Sequence, residues 1–194
     1  MDLRKLLFKA RGYTPLPIIA IIIYQADMHC VSAIIGFAMA LGGELLRLWG
    51  VRAAGGRTRT RQVGAKELCT WGPFAYVRNP LYIGNAFIYT GMLLFAGGPY
   101  FLPLLLITLI YLVFQYGMII SLEEETLATI FGRAYAEYKA NVPRLLPRLR
   151  PWEGRAPARY LPWQKVFKTE KTTLMVFFAF TIAVVIKELF LNAK

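Results

Sequence analysis

Five runs of apolar residues, separated by polar or basic segments, organise this chain. A helix needs about 20 mostly apolar residues to cross a hydrocarbon core, and most of the runs approach that length. The first run is the shortest and begins with two prolines, which a helix accommodates in its first turn. The pattern predicts an all-α fold, an integral membrane helical bundle with about five transmembrane helices. The runs are residues 13–26, 30–49, 81–96, 100–120 and 174–190.

The segments between the runs predict how the helices are joined. Residues 97–99, Gly-Gly-Pro, leave room only for a tight turn, so the third and fourth runs should be antiparallel neighbours. Residues 122–140 carry apolar and aromatic side chains at helical spacing, which predicts an amphipathic helix. Residues 1–12 predict a basic amphipathic lead at the membrane surface. The segment 143–160 is rich in proline and arginine and predicts extended chain along the cytoplasmic face.

We predict a single membrane domain, residues 1–194. Its first part, residues 1–66, is a helical hairpin followed by a basic loop. Arginine and threonine alternate in this loop, which could indicate a short strand-like edge, but we favour a solvated loop. Residues 67–150 carry the polar motifs. Residues 151–194 hold a cytosolic extended segment, a basic interfacial stretch at 163–172, and the last transmembrane helix.

Composition and charge support a membrane protein and predict its orientation. The chain is 57% hydrophobic with a mean hydropathy of +0.45 and a net charge of +12. Of 23 lysines and arginines, 21 fall in segments that share one face if the apolar runs cross the bilayer, which is the positive-inside bias. We therefore expect a cytoplasmic N-terminus, no nucleic-acid partner and, from the compact loops, a bacterial inner membrane. The two cysteines and single histidine predict neither a disulfide nor a metal site.

Two polar groups are predicted to meet across the tight hairpin. Arg78, Asn79 and Tyr82 open the third run, and Glu123 and Glu124 close the fourth on the same side of the bilayer. An unpaired carboxylate at the edge of the hydrocarbon is costly, and adjacent carboxylates raise each other's pKa values. A bound cation would relieve both effects. We predict a site here, with Arg78, Glu123 and Glu124 as catalytic residues.

Each of these residues also has a structural interpretation. Ser121 and Glu124 fit a capping box, in which Glu124 reaches back to the Ser121 amide. Asn79 could cap the third helix, Arg78 could be an interfacial anchor, and Tyr82 could belong to an aromatic belt. The convergence of an acid pair, a guanidinium, an amide and tyrosines favours a functional site.

An acid inside the second run is a further candidate. Glu44 lies within an apolar helix, where ionisable residues are usually functional. The alternative is an ion pair with Arg47 one turn further on. We favour the ion pair.

Three stretches together resemble a known superfamily. They are Tyr-Val-Arg-Asn-Pro-Leu-Tyr-Ile-Gly at 76–84, Leu-Glu-Glu-Glu-Thr-Leu-Ala-Thr-Ile-Phe-Gly-Arg-Ala-Tyr-Ala-Glu-Tyr at 122–138, and Val-Pro-Arg-Leu-Leu-Pro at 142–147. This order resembles the isoprenylcysteine carboxyl methyltransferase and phospholipid methyltransferase superfamily. The resemblance implies a helical membrane enzyme that uses S-adenosylmethionine, releases S-adenosylhomocysteine, and holds this cofactor in a pocket at the cytosolic helix ends. It also implies membrane lipids and a lipophilic small-molecule acceptor as partners.

The resemblance also implies a set of cofactor-binding residues. The loop 70–76 and the start of the third helix would line the cofactor, one of the two acids would face its amino or sulfonium group, and residues of the later motifs would complete the wall. These residues are Thr70, Gly72, Tyr76, Asn79, Pro80, Tyr82, Glu124, Tyr135, Tyr138 and Arg144.

Two departures from the superfamily pattern bear on chemistry. The superfamily histidine is Asn79 here, and an amide cannot act as a general base near neutral pH. Residues 117–120, Gly-Met-Ile-Ile, lack the arginine that holds the carboxylate in prenylcysteine enzymes, which leaves lipid amines, lipid carboxylates or small apolar nucleophiles as acceptors. Two alternatives are an NADPH-dependent enzyme similar to membrane sterol reductases and a non-catalytic scaffold or lipid-binding protein on the same fold.

Overall fold

The computed structural model describes residues 2–55, 64–65 and 67–191, and these residues form a helical bundle without strands. The predicted all-α class is confirmed. The alternating Arg-Thr segment of the basic loop lies outside the described residues. A short 3-10 helix, Gly72–Ala75, precedes α4. The α-helices are α1 Leu3–Ala10, α2 Leu16–Gln25, α3 Cys30–Ala54, α4 Pro80–Ala96, α5 Phe101–Asn141 and α6 Trp163–Leu191.

Each predicted apolar run is helical, but the helices differ in their ability to span a membrane. Among the described residues, α3, α5 and α6 are long and apolar enough to cross, whereas α2 has 10 residues and α4 has 17. The protein is thus an integral membrane bundle with three long helices and two shorter apolar ones. The predicted amphipathic helix at 122–140 continues directly from the fourth run within α5. A bend occurs at Gly132, whose φ is +50°.

The predicted interfacial stretch at 163–172 is helical, and its location at the membrane interface stays a prediction. These residues form the first turns of α6, which begins at Trp163 and continues without a break into the last apolar run. The stretch contains no glycine or proline that would end a helix. Its one acid, Glu170, is buried inside the bundle.

Glycines allow α3 and α4 to pack with their backbones in contact. A Cβ added at Gly43 would lie 2.6 Å from the carbonyl oxygen of Gly84, and one added at Gly91 would lie 2.6 Å from the amide nitrogen of Ala40. Small residues at a helix interface in a membrane permit this approach and the dispersion attraction that follows from it. The close packing fixes the α3 side chains relative to those of α4.

The turn between α4 and α5 makes these helices antiparallel neighbours, as predicted. Gly97 and Gly98 have φ values of +61° and +98°, which glycine adopts without a steric penalty. The buried side chain of Gln25 supports the turn by accepting a hydrogen bond from the Tyr100 amide at 3.1 Å. The start of α4 is therefore brought beside the middle of α5, where Glu123 and Glu124 of the predicted site lie.

The irregular segment between α5 and α6 returns across the loop that leads into α4. Hydrogen bonds connect the two segments along their length, which holds the loop against the end of α5. The amides of this segment donate from Arg148 to the Tyr76 carbonyl at 3.0 Å, from Trp152 to the Ala75 carbonyl at 2.9 Å, and from Ala156 to the Thr70 hydroxyl at 2.8 Å. Further along, the Leu161 amide donates to the Arg52 carbonyl of α3 at 2.9 Å.

Candidate active site

A cluster of charged and amide groups joins the start of α4 to α5. We call it the mouth cluster: Arg78, Asn79, Glu124 and Arg144. One oxygen of the Glu124 carboxylate accepts from Arg78 Nε at 3.1 Å and from Asn79 Nδ2 at 3.2 Å, and the other lies 3.1 Å from Arg144 Nη2. Three donors on one carboxylate compensate its burial through charge-assisted bonds. The hairpin therefore brings the two motifs together as predicted.

The structural interpretations of two mouth residues are wrong. Ser121 lies inside the continuous helix α5, so no helix begins there and Glu124 is not part of a capping box. Asn79 occupies the position before α4, but its side chain makes no capping bond and donates instead to Glu124 and to the Arg144 carbonyl. Arg78 is likewise bound to Glu124 and to the carbonyl groups of Lys139 and Val142. The side chains of Arg78, Asn79 and Glu124 therefore connect the start of α4 to α5 and do not cap a helix.

A cavity of about 530 Å³ lies beside the mouth cluster. Its wall includes four of the predicted site residues: Arg78, Tyr82, Glu123 and Tyr138. The Glu123 carboxylate lies beside Tyr82 on this wall. The Tyr82 ring packs on Tyr116, with 4.8 Å between the ring centroids. Of the predicted acid pair, Glu123 lies on the cavity wall while Glu124 is bound within the mouth cluster.

The other predicted cofactor-binding residues lie around this cavity rather than on its described wall. Thr70 accepts a hydrogen bond from the Ala156 amide, and the Tyr76 ring contacts Trp49 at 6.2 Å between centroids. Tyr135 is buried edge-on against Tyr138. These residues support the loop and helix that form the wall, and their assignment to the cofactor stays a prediction. The residues outside the described wall are Thr70, Gly72, Tyr76, Asn79, Pro80, Glu124, Tyr135 and Arg144.

The inner end of the cavity is polar, which the sequence reasoning missed. Arg47 lies on the wall there and donates to the Asn85 carboxamide and to Glu170, each at 2.6 Å. Glu44 lies 4.0 Å from Arg47, so the favoured pairing of these two residues is confirmed. We call Glu44, Arg47, Asn85 and Glu170 the inner cluster. It joins α3, α4 and α6.

Part of this inner end could have been found from spacing. Tyr82, Asn85 and Tyr89 recur every three to four residues and so share one face of α4. All three line the cavity. Glu170 carried no comparable signal, because it stood alone among lysines in a stretch taken to be interfacial.

A cysteine also lies on the cavity wall. Burial raises the pKa of the Cys69 thiol on the cavity wall to about 12, so this cysteine is protonated near neutral pH and is a weak nucleophile. Among the described residues, no three His, Cys, Asp or Glu side chains form a group that could hold a metal ion.

Comparison with known proteins places these features in a family. The chain matches the family model of phospholipid methyltransferases over residues 31–134, which is more than half of its length. The match includes Arg78, Tyr82, Glu123 and Glu124. No curated protein and no solved structure matches the chain. The chain therefore belongs to the phospholipid methyltransferase family, a group of membrane methyltransferases that act on lipids.

Proposed function

We propose that this protein transfers the methyl group of S-adenosylmethionine to a lipophilic acceptor that enters the cavity from the bilayer. The observation that carries the proposal is the composition of the cavity wall. Arg78, Tyr82 and Glu123 of the two motifs share this wall with Ile19 of α2 and Val176 of α6, which belong to apolar helices. One space thus adjoins both the polar motif residues and the membrane-embedded part of the bundle.

The wall has the chemistry that this methyl donor requires. The donor carries a positive sulfonium, a positive amino group, a negative carboxylate and an aromatic base. Glu123 provides a carboxylate for a positive group, Arg78 provides a guanidinium, and Phe74 and Tyr138 provide aromatic surface. The volume is within the range of about 300–1,000 Å³ found for small-ligand sites.

We place the acceptor at the side of the cavity formed by α2 and α6. Leu16 and Ile19 of α2 and Val176 of α6 give this side an apolar surface, while Thr172 and Thr173 add hydroxyl groups. Many large apolar side chains of α6 are exposed, as expected for a helix in contact with lipid. An acyl chain can lie between these helices while its polar end reaches the tyrosines further in.

The role of Glu123 follows from its surroundings. When bound, the donor supplies an activated methyl group on a sulfonium, ready for an in-line displacement. The acceptor atom must be held about 3–3.5 Å from the methyl carbon in a site that excludes water. Of the two acids on the described wall, Glu67 lies 3.3 Å from Arg159 near the surface, whereas Glu123 lies beside Tyr82. Glu123 therefore holds a positive group of the donor or takes up a proton that leaves the acceptor.

The first test is ligand-dependent thermal unfolding of the detergent-solubilised protein. S-adenosylhomocysteine should raise the midpoint, because a ligand at about a hundred times its Kd stabilises a protein by about 2.7 kcal/mol. NADPH should have no effect. Stabilisation by NADPH alone would favour a reductase, and stabilisation by neither compound would favour a non-catalytic scaffold.

The second test is transfer of a labelled methyl group into membrane lipid extract. Glu123→Gln should weaken S-adenosylhomocysteine binding or slow transfer by about tenfold to a hundredfold, because a hydrogen bond to a charged group contributes about 1.5–3 kcal/mol. Glu137→Gln is the matched control, since Glu137 is exposed further along α5. Equal losses in both variants, or no transfer into any extract, would contradict the proposal.

We also propose that the mouth cluster and the N-terminus share the cytosolic side, because the soluble methyl donor is made there and the basic segments follow the positive-inside bias. Accessibility of an engineered cysteine at Lys139 to an impermeant maleimide, in sealed vesicles of known orientation, tests this placement.

A further inference from the structure

Helix α1 has two chemically different faces. At about 100° per residue, Lys5, Lys9, Leu6 and Leu3 follow one another around an arc of about 160°, and all four are exposed. Phe8 lies on the other face and is buried, with only 4% of its surface exposed. The helix is therefore amphipathic in the folded protein, with its outward face running from basic to apolar.

The inward face of α1 closes one side of the cavity. Phe8 packs into a core cluster with Leu112, Tyr116 and Ile119 of α5, and Phe8 and Lys9 both line the cavity. Leu7 of α1 packs against the same cluster, and an exposed salt bridge of 2.7 Å joins Arg4 to Glu125, next to the acid pair. The salt bridge adds little to this apolar contact of an eight-residue helix, because water screens exposed ion pairs.

The outward face has the composition of a helix that lies in a membrane interface. Leu3 and Leu6 are 49% and 47% exposed, and two exposed lysines lie beside them on the same arc. Leucines of such a helix enter the boundary between headgroups and acyl chains, while lysines contact anionic headgroups at about 1 kcal/mol each. α3, α5 and α6 already place this protein in a bilayer, so a lipid surface lies within reach of α1.

We infer that α1 is a lid over the cavity and that anionic lipid headgroups hold this lid closed by binding its outward face. A ligand shifts an equilibrium toward the state that it binds better. The docked helix presents lysines and leucines together on one face, and an undocked, frayed helix does not. Anionic lipid therefore stabilises the docked state, in which Phe8 and Lys9 form part of the cavity wall.

Hydrogen exchange of the full-length protein in lipid vesicles tests the lid directly. Amides of residues 3–10 should exchange about tenfold more slowly when about a third of the phosphatidylcholine is replaced by phosphatidylglycerol, since the exposed Lys5 and Lys9 are attracted to anionic headgroups. High salt should remove the difference. Lys5→Gln with Lys9→Gln should also remove it, whereas Leu3→Ser with Leu6→Ser should speed exchange in both vesicles.

The control replaces two exposed cations elsewhere, Arg133→Gln with Lys139→Gln. This variant should keep the full lipid dependence of residues 3–10. Equal exchange in the two vesicles, or loss of the lipid dependence in the control variant, would overturn the inference.

The consequence for turnover rests on the proposed function, whereas the seating of α1 does not. Phosphatidylglycerol should slow S-adenosylhomocysteine dissociation in the native protein, and Lys5→Gln alone, which keeps the cavity-lining Lys9, should reduce this effect. If hydrogen exchange of α1 depends on lipid but S-adenosylhomocysteine does not bind, the inference about the lid is supported and the proposed function is contradicted. If the ligand binds and exchange ignores lipid, the lid fails alone.

Discussion

The mouth cluster and the inner cluster have formal charges of opposite sign. In the mouth cluster two guanidinium groups, from Arg78 and Arg144, surround the single carboxylate of Glu124. In the inner cluster two carboxylates, from Glu44 and Glu170, lie within 4.0 Å of the single guanidinium of Arg47. The formal charges are therefore +1 at the mouth and −1 further in.

The two clusters also differ in the solvent exposure of their side chains, and this difference explains how each excess charge is stabilised. The Arg144 side chain is 44% exposed, so water solvates the surplus positive charge. The Arg47 and Glu170 side chains are 9% and 0% exposed, so the inner charges depend on each other and on amides such as Asn85. For a zwitterion such as the proposed donor, we expect this field to favour the carboxylate at the mouth and the positive groups deeper in the cavity.

The largest expected effect comes from breaking the inner cluster. Glu170→Ala should destabilise the solubilised protein by about 3–5 kcal/mol, because it leaves the buried Arg47 with less compensation. The triple variant Glu44→Gln, Arg47→Met, Glu170→Leu should be less destabilised than the single one, since it removes the buried charges together. Denaturant titrations measure both free energies of unfolding. If Glu170→Ala were as stable as the parent protein, the inner cluster would not depend on its buried charge pairs.

Breaking the mouth cluster should have a smaller effect on stability. Glu124→Ala removes bonds from Arg78, Asn79 and Arg144. Because Arg144 is 44% exposed and the other two keep their bonds to backbone carbonyls, we expect a loss of about 2 kcal/mol. Limited proteolysis of the segment that follows α5 should become faster, because Glu124 holds that segment through Arg144. A loss as large as that of Glu170→Ala would show that exposure does not separate the clusters.

The packing of α3 on α4 positions the two helices that carry Arg47 and Asn85 of the inner cluster. Gly91→Ala should cost about 1–3 kcal/mol, since its Cβ would lie 2.6 Å from the Ala40 amide. Gly42→Ala is the matched control, because no atom lies within 4 Å of the added Cβ, and it should be neutral or slightly stabilising. Thermal unfolding of the two variants compares them, and equal losses would contradict the close approach.

The smallest effect is on reactivity rather than stability. With its pKa raised to about 12, the Cys69 thiol is almost fully protonated at pH 8, so maleimide labelling should be slow and should speed up as the pH rises. Glu124→Gln should accelerate labelling by loosening the loop that carries Cys69. Mass spectrometry of the labelled peptide measures the rate, and fast labelling of the parent protein at pH 8 would contradict the burial.

A cluster can be predicted from sequence when a short connection joins the helices that carry its residues, or when a local motif marks those residues. The Gly-Gly-Pro turn connects the two helices that carry the mouth residues, so their meeting could be deduced from loop length. The inner cluster joins α3 to α6, and Glu170 comes from a helix whose start was misplaced among basic residues. The capping box at Ser121 was a local pattern that tertiary contacts overrode.

The sequence alone determined the all-α membrane class, the α4–α5 hairpin and the family motifs, because hydropathy, tight turns and short motifs are properties of neighbouring residues. Only the tertiary structure decided which acid faces the cavity, how α1 closes it and which residues balance Arg47. Adjacent residues on a helix point in directions about 100° apart, so Glu123 and Glu124 separate into different environments once α4 and α5 pack. The burial and pairing of charged groups depend on contacts between segments that are distant in sequence, and the order of residues alone does not specify these contacts.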